Sequence, residues 1–421
     1  MSFATERPAS WQACIACGNE TVDNDPATRC RLCGGLLEVR HRAPNLTREE
    51  LLRKFTERRG GPPGAASTSG VWRFRELVMP GAELIVSHPE GNTPLMHRTA
   101  IDEYTGVPQL MLKHEGHNPT GSFKDRGMTV GVTQAVRIGA RAVACASTGN
   151  TAASLAAYAA QARIPALVLV PAGAIAAGKL GQALAYGART LLVRGDFDDC
   201  MRLVEEAGTR IGLYLLNSVN PFRIEGQKTI ILELLQQLGW NPPDWIVLPA
   251  GNLGNLAAFG KALREMHEYG VIARMPRLVG VQAAGAAPFA QGFAEGFRHR
   301  HRVHAETVAT AIRIGNPASW DRAVQSIRET DGLVLTATDA EILEAKAVVD
   351  RSGVGCEPAS AAAIAGVRQL AAGGRLGAAE RVVAVLTGHV LKDPGIPAIA
   401  PIEIEPTLDA LERAIDAAAR D

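Results

Sequence analysis

The segment HEGHNPTGSFKDRG (residues 114–127) carries one lysine, Lys124, between a Pro-Thr-Gly-Ser turn and what reads as a helix start. An amine flanked by Phe123 and held near a helix N-terminus loses hydration and meets the positive end of the aligned peptide dipoles. Both effects favour the neutral form, a nucleophile for aldehydes. The segment alone leaves open a surface lysine paired with Asp125. A second segment, LPAGNLGN (248–255), presents Gly251, Asn252, Leu253, Gly254 and Asn255 ahead of a helix expected over 256–266. Successive backbone N–H groups with little side-chain obstruction, set at a helix N-terminus, make an anion nest. The spacing is not that of a dinucleotide fingerprint, so a single phosphate ester fits better than a pyrophosphate. A tight strand–helix turn that simply needs glycine is the alternative.

Four of the seven cysteines fall into two knuckles, Cys14-x2-Cys17 and Cys30-x2-Cys33, with twelve residues between them. Four thiolates at this spacing match a tetrahedral zinc site, which can order a segment too small for its own core. Unrelated thiols, or redox pairs lacking a thioredoxin-like context, are the competing readings. Glu20, Asp23 and Asp25 lie among the few basic residues here, which argues against nucleic-acid binding by this ribbon. Other clusters carry less. GAIAAGKL (173–180) has Leu180 where a P-loop needs a Ser/Thr hydroxyl for Mg²⁺, so nucleotide hydrolysis is rejected. His299, His301 and His304 are interleaved with arginines that would repel a metal ion, so a solvated or anion-facing loop is expected. The chain contains no HExxH and no GxSxG.

These groups need a framework. The chain has 421 residues, 47% apolar and 21% charged, enough for a large core and two to three domains. A formal net charge of +1 gives no global attraction to nucleic acid or anionic membrane. The longest uncharged run, 142–162, is interrupted by Ser147, Thr148, Asn150, Thr151 and Ser154 and fails as a membrane span. MSFATERPASW lacks the apolar core of a secretory signal, so a cytoplasmic location is expected. Short β-branched runs at 142–146, 166–170, 190–193, 245–248, 278–281, 333–336 and 382–386 alternate with helical patterns such as 151–162 and 358–372. That alternation predicts an α/β fold with parallel sheets covered on both faces. A polar helix is expected near 47–59, a loop over 60–70 and a surface helix over 407–420. In such folds ligands gather at the carboxyl ends of strands. The polar loops 146–154, 248–255 and 386–394, with 118–127, predict one shared site.

A phosphate nest, a nucleophilic lysine and polar strand ends together describe a pyridoxal-phosphate site. The sequence resembles the threonine synthases, within the fold type II (tryptophan-synthase-β-like) pyridoxal-phosphate enzymes. The resemblance rests on GVWRFREL (70–77), EGNTPL (90–95), NPTGSFKDRGM (118–128), ASTGNTAAS (146–154), GKLGQALAYGA (178–188), NSVNPFRIEGQKT (217–229), IGNPASW (314–320), CEPASAA (356–362) and LTGHVLKDP (386–394). It implies two domains, each with a mostly parallel sheet covered by helices. A zinc-ribbon-like segment would span 1–45, a large cofactor domain 46–120 with 216–421, and a small closing domain 121–215. It implies that Lys124 condenses with the cofactor aldehyde and later shuttles protons, that Asn150 bonds the 3′-oxygen, that residues 251–255 hold the phosphate, and that Thr387 faces the pyridine nitrogen. Ser147 and Thr151 would meet the substrate's amino-acid end, and Asn217, Ser218 and Arg223 its phosphate. Arginine suits that last role independently, because it grips phosphate bidentately.

The implied reaction converts O-phosphohomoserine and water to L-threonine and phosphate, in a homodimer carrying zinc at Cys14, Cys17, Cys30 and Cys33. One departure stands out: Val390 occupies a position where the family commonly has glycine, and a β-branched residue there would narrow the site. The nearest alternatives are a threonine/serine dehydratase, which has no substrate phosphate to bind, and a cysteate synthase acting on phosphoserine. A reading of a different class is a non-catalytic binding protein on a degenerate scaffold. Retention of Lys124 speaks against it.

Overall fold

A computed structural model of the chain describes residues 8–147, 149–172, 177–195, 197–393 and 402–418. Thr148, residues 173–176, Pro394 and the ends of the chain, all within segments discussed above, lie outside the described residues. The first sheet is antiparallel: β1 (Ser10–Cys14) pairs with both β2 (Glu20–Val22) and β3 (Leu37–His41). Next come β4 (Leu95–Met96) and β5 (Met111–His114), then β6 (Ala142–Ala146), β7 (Ala166–Pro171), β8 (Arg189–Val193) and β9 (Leu213–Leu215). The last four are β10 (Trp245–Pro249), β11 (Arg277–Ala283), β12 (Leu333–Ala337) and β13 (Val382–Leu386). The large sheet has the order β12-β11-β10-β13-β5-β4, and the small one β8-β7-β6-β9. All pairings in both are parallel except β4 with β5.

The central strands WIVLP (β10) and VVAVL (β13) are apolar throughout because helices cover both their faces, and every residue in them is buried. The uncharged run at 142–162 divides into β6 and the helix Asn150–Ala162, with the polar turn between them. Local signals set several helix starts. Thr47 and Glu50 form a capping box ahead of Arg48–Arg59, as Thr338 and Glu341 do ahead of Asp339–Arg351. Asn220 caps Pro221–Gln227, accepting from the N–H groups of Phe222 and Arg223, with Pro221 in the first turn. No helix among the described residues is long and apolar enough to cross a membrane.

Three expectations are refined. The loop predicted at 60–70 contains a short 3-10 turn, Ala66–Thr68. The C-terminal helix spans Leu408–Ala418, and apart from Ala410 its large apolar residues Leu408, Leu411 and Ile415 stay exposed. The ribbon is no appended module. Its Val39 belongs to the main hydrophobic core and Leu36 to the core beneath the small sheet. It also reaches two helices through polar contacts: Asp23 with Arg137 of the helix Lys124–Arg137 at 2.7 Å, and His41 with Glu225 of Pro221–Gln227 at 2.8 Å.

A buried ion network holds the lysine's helix in place. Glu233 receives Arg126, Lys113 and Arg73, each at 2.7 Å, while Arg126 also meets Glu115 at 2.7 Å. Burial alone would raise the Glu233 carboxyl, but Arg126, Lys113 and Arg73 overcome this and hold it well below the usual carboxylate range. The same carboxylate accepts from the backbone N–H groups of Asn92 and Thr93, at 2.8 and 2.9 Å. The EGNTPL segment is thereby tied to the helix Lys124–Arg137, whose first residue is Lys124.

Candidate active site

In the large sheet β10, β13 and β5 are parallel neighbours, so their carboxyl ends lie along one edge. From that edge emerge the loop 250–253, residues 387–389 and the segment 115–123 leading to Lys124. The predicted amine and the predicted nest therefore meet on the same side of the sheet. The segment before the lysine is fixed by a bridge between Ser122 and Gly388 and by the Phe123 N–H donating to the Thr387 carbonyl at 3.0 Å. The amine sits 4.2 Å from the centre of the Phe123 ring. Lys124 is half-buried. Burial and then the nearby Arg223 charge lower its pKa to about 7, against a smaller opposing effect of Glu357. The surface-pair alternative fails, because Asp125 is fully buried and turned elsewhere, accepting from the Thr120 N–H and hydroxyl and from the Ser154 hydroxyl.

The loop after β10 forms a helix N-terminus at Gly254–Glu268. Leu253 precedes it at φ +65°, a left-handed conformation uncommon for a branched side chain. Among the described residues no protein acceptor takes the backbone N–H groups of Gly251 to Asn255. The side chains steady the loop instead. Asn252 accepts from the Ala318 N–H through its side chain and from the Ser319 N–H through its carbonyl, both at 3.2 Å, and Asn255 accepts from Gln227 at 2.7 Å. The turn does not need its glycines for φ > 0, because its left-handed residue is Leu253. A Cβ on Gly251 would lie 2.9 Å from the Ile312 Cα, so that glycine serves packing, whereas Gly254 meets nothing nearer than 3.4 Å.

The small sheet supplies the facing wall. β6 and β9 are neighbours, so the segments after them, Ser147–Thr151 and Leu216–Arg223, share an edge. Asn217 binds them together: its oxygen accepts from the Ala146 N–H at 2.9 Å and its amide donates to the Ala146 carbonyl at 3.0 Å. The Ser147 hydroxyl accepts from the Gly149 N–H at 3.2 Å, and Thr151 and Ser218 are half-buried. Arg223 is fully buried. Its Nη1 donates to the Leu216 carbonyl at 3.0 Å, its Nε finds no partner, and no carboxylate pairs with it among the described residues. Burial without a counter-ion lowers its pKa to about 10. A buried guanidinium with no carboxylate partner among the described residues has the chemistry to bind an anion.

Thr387 is buried, with its hydroxyl 3.0 Å from that of Ser360. Asn150 reaches across from the small-sheet side to the buried Glu357, donating at 2.9 and 3.3 Å. Glu357 and Ser360 were not singled out from sequence, although both lie in CEPASAA. The available signal was a carboxylate directly before a proline that opens a helix. Val390 packs against Gly355, whose φ is +69°, so the β-branched side chain bears on that residue's backbone. His301 pairs with Glu295 at 3.0 Å in a half-exposed loop, in keeping with a solvated role.

At the ribbon, the sulfurs of Cys14, Cys17, Cys30 and Cys33 all lie within 4.8 Å of one another. Neighbouring sulfurs are 3.3 to 3.7 Å apart. Tetrahedral Zn–S bonds of about 2.3 Å require S···S edges of about 3.8 Å, so the donor set fits zinc with small adjustments. Backbone N–H groups, the one from Cys33 foremost, lower the Cys30 thiol to about 7, while, against the Gly35 backbone N–H, the neighbouring sulfurs push the Cys33 thiol up to about 12.

The sequence profile described as pyridoxal-phosphate dependent enzyme matches residues 86–388. The threonine synthase of Methanocaldococcus jannaschii is 44% identical over 415 residues, covering 96% of this chain and 98% of its own. That of Methanosarcina acetivorans is 44% identical over 407 residues with the same coverage, and that of Mycobacterium leprae 49% over 323 residues, covering 75% and 87%. Among solved structures, maize serine racemase superposes with a TM-score of 0.62 at 21% identity, covering 83% of this chain and 97% of its own. The processed form of threonine deaminase isoform 2 from Solanum lycopersicum gives 0.62 at 20%, covering 88% and 94%. These two establish the fold alone, that of fold type II. The profile match and the sequence identities place the chain in the pyridoxal-phosphate dependent enzymes, and within them in the threonine synthase family.

Proposed function

We propose that the chain catalyses the reaction of that family, converting O-phosphohomoserine and water to L-threonine and phosphate. The observation that carries this reading is Arg223: buried, lacking any acid partner among the described residues, and close enough to Lys124 to depress its amine. A dehydratase acting on serine or threonine would have no substrate phosphate to place there. Bound pyridoxal phosphate supplies an electron sink for negative charge developing at the substrate's carbon atoms. Lys124 holds the cofactor and moves the proton at Cα. Gly251, Asn252, Leu253, Gly254 and Asn255 receive the cofactor phosphate through backbone N–H groups and the helix dipole. Asn150 donates to the 3′-oxygen, and Thr387 offers the pyridine nitrogen a neutral hydroxyl. Ser147 and Thr151 orient the amino-acid end of the substrate. Asn217 holds the loop that, with Ser218 and Arg223, receives its phosphate.

The division into a large domain (46–120 with 216–421) and a small closing one (121–215) belongs to this reading, as do a cytoplasmic homodimer and structural zinc. Zinc has its own measurement. Elemental analysis is expected to find one zinc per chain, and Cys30→Ser to lose it and lower the melting temperature by several degrees, since metal binding is coupled to folding. The activity is tested by phosphate release from O-phosphohomoserine against O-phosphoserine. Release from the first is expected. Release from the second alone would replace this assignment with the cysteate synthase one.

A further inference from the structure

Glu357 has no role in the assignments above, yet it is among the most constrained residues of the cleft. It sits at the N-cap of the helix Pro358–Ala372 and is buried. Its N–H donates to the Gly388 carbonyl at 3.1 Å, and the Ser360 N–H donates to its own carbonyl at 2.9 Å. The carboxylate occupies the space a Cβ at residue 388 would need, so Gly388 is dictated by it. Asn150 Nδ2 donates to both carboxylate oxygens, at 2.9 and 3.3 Å, and no cation lies within ion-pairing distance among the described residues. The charges facing Glu357 are Lys124, Lys392 and Asp393. Those facing Lys124 are Arg223 and Glu357.

A carboxylate only accepts, so it settles which end of the Asn150 carboxamide turns toward it. The amide group is planar, and its second N–H then points in one set direction. A buried carboxylate with a single neutral donor is also an unfavourable arrangement, unless a positive charge arrives beside it. Of the two amines whose charge acts on it, Lys124 does so more strongly than Lys392.

We propose that Glu357 is a positioning residue of the reaction: it fixes the Asn150 carboxamide so that the second N–H meets the cofactor's 3′-oxygen, and it sets a negative charge against the Lys124 nitrogen. The inference rests on the reading that Lys124 carries pyridoxal phosphate. Two shifts agree with it. Burial raises the Glu357 carboxyl and lowers the Lys124 amine, so each is held away from its charged form until the other is charged.

The test is a spectrophotometric pH titration of the visible band of the holoenzyme, comparing wild type with Glu357→Gln, Glu357→Asp and Asn150→Ala. Glutamine keeps an acceptor for Asn150 and removes only the charge. Losing an anion beside a cation lowers the cation's pKa, so the Glu357→Gln midpoint is expected to fall by about one pH unit or more. Glu357→Asp, withdrawn by one methylene, should shift it the same way by less, and this variant decides the matter if Glu357→Gln does not fold. Melting temperature should stay near the wild-type value. Because Glu357 also acts through Asn150, adding Asn150→Ala to Glu357→Ala is expected to lower phosphate release no further than Glu357→Ala alone, and a full product of the two single effects overturns that half of the proposal. A wild-type band with an unmoved midpoint in both Glu357 variants overturns the proposal and leaves the cofactor assignment standing. A wild type with no visible band on added pyridoxal phosphate sinks that assignment instead.

Discussion

Lys124→Ala is expected to abolish the visible absorbance of bound pyridoxal phosphate and to reduce phosphate release from O-phosphohomoserine by at least about 10³-fold. The reason begins with charge. An ordinary lysine amine at neutral pH is neutral in only about one molecule in several thousand. With a pKa of about 7, roughly half of the Lys124 amines are neutral at pH 7. Reconstitution of the apoprotein with the cofactor should therefore quicken with pH through a midpoint near 7, and level off above it. Lys124→Arg, which keeps a cation but offers no nucleophile, should be as dead as the alanine variant. A Lys124→Ala protein that kept the band would place the reactive amine elsewhere.

The second large effect separates function from stability. Arg223→Met should lower kcat/KM for O-phosphohomoserine by about 10²–10³-fold, the range found when one partner of a buried charge pair is removed. Its melting temperature should hold or rise, because the substitution takes an uncompensated buried charge out of the free enzyme. Inorganic phosphate should stabilise the wild type with rising concentration and leave Arg223→Met unmoved. Arg223→Lys should recover only part of the activity, since an ammonium cannot match the bidentate fork. Loss of melting temperature in proportion to activity would instead make Arg223 a structural residue. Asn220 fixes the backbone of this helix start by accepting from the Arg223 backbone N–H, and the Leu216 carbonyl holds the guanidinium itself.

Much of this was legible one segment at a time. Parallel strands buried on both faces need continuous apolar runs, so WIVLP and VVAVL announce themselves. Helix patterns and knuckle spacings are equally local, which is why the polar helix near 47–59, Lys124 at its helix start and the four ribbon cysteines could be read directly. The strand MLKH (β5) escaped notice because Lys113 and His114 break the apolar pattern. Both are tolerated in the interior only because distant groups satisfy them: Lys113 reaches Glu233, and His114 Nε2 bonds the Gly355 carbonyl at 2.9 Å. β4 and β9 are too short, at two and three residues, to carry a period.

The chain's local chemistry thus determined which groups exist and which elements bear them. Their meeting was decided elsewhere. Glu357 touches Asn150 across 207 positions, and Glu233 gathers partners up to 160 residues away. No residue spacing encodes such pairs, because they arise only when elements far apart in the chain pack together: Asn150 opens a helix beside the small sheet and Glu357 one beside the large sheet. The isolation of Arg223 is likewise a tertiary fact. An arginine in a sequence always has acids within reach on paper, and only folding shows that none of the described ones comes near.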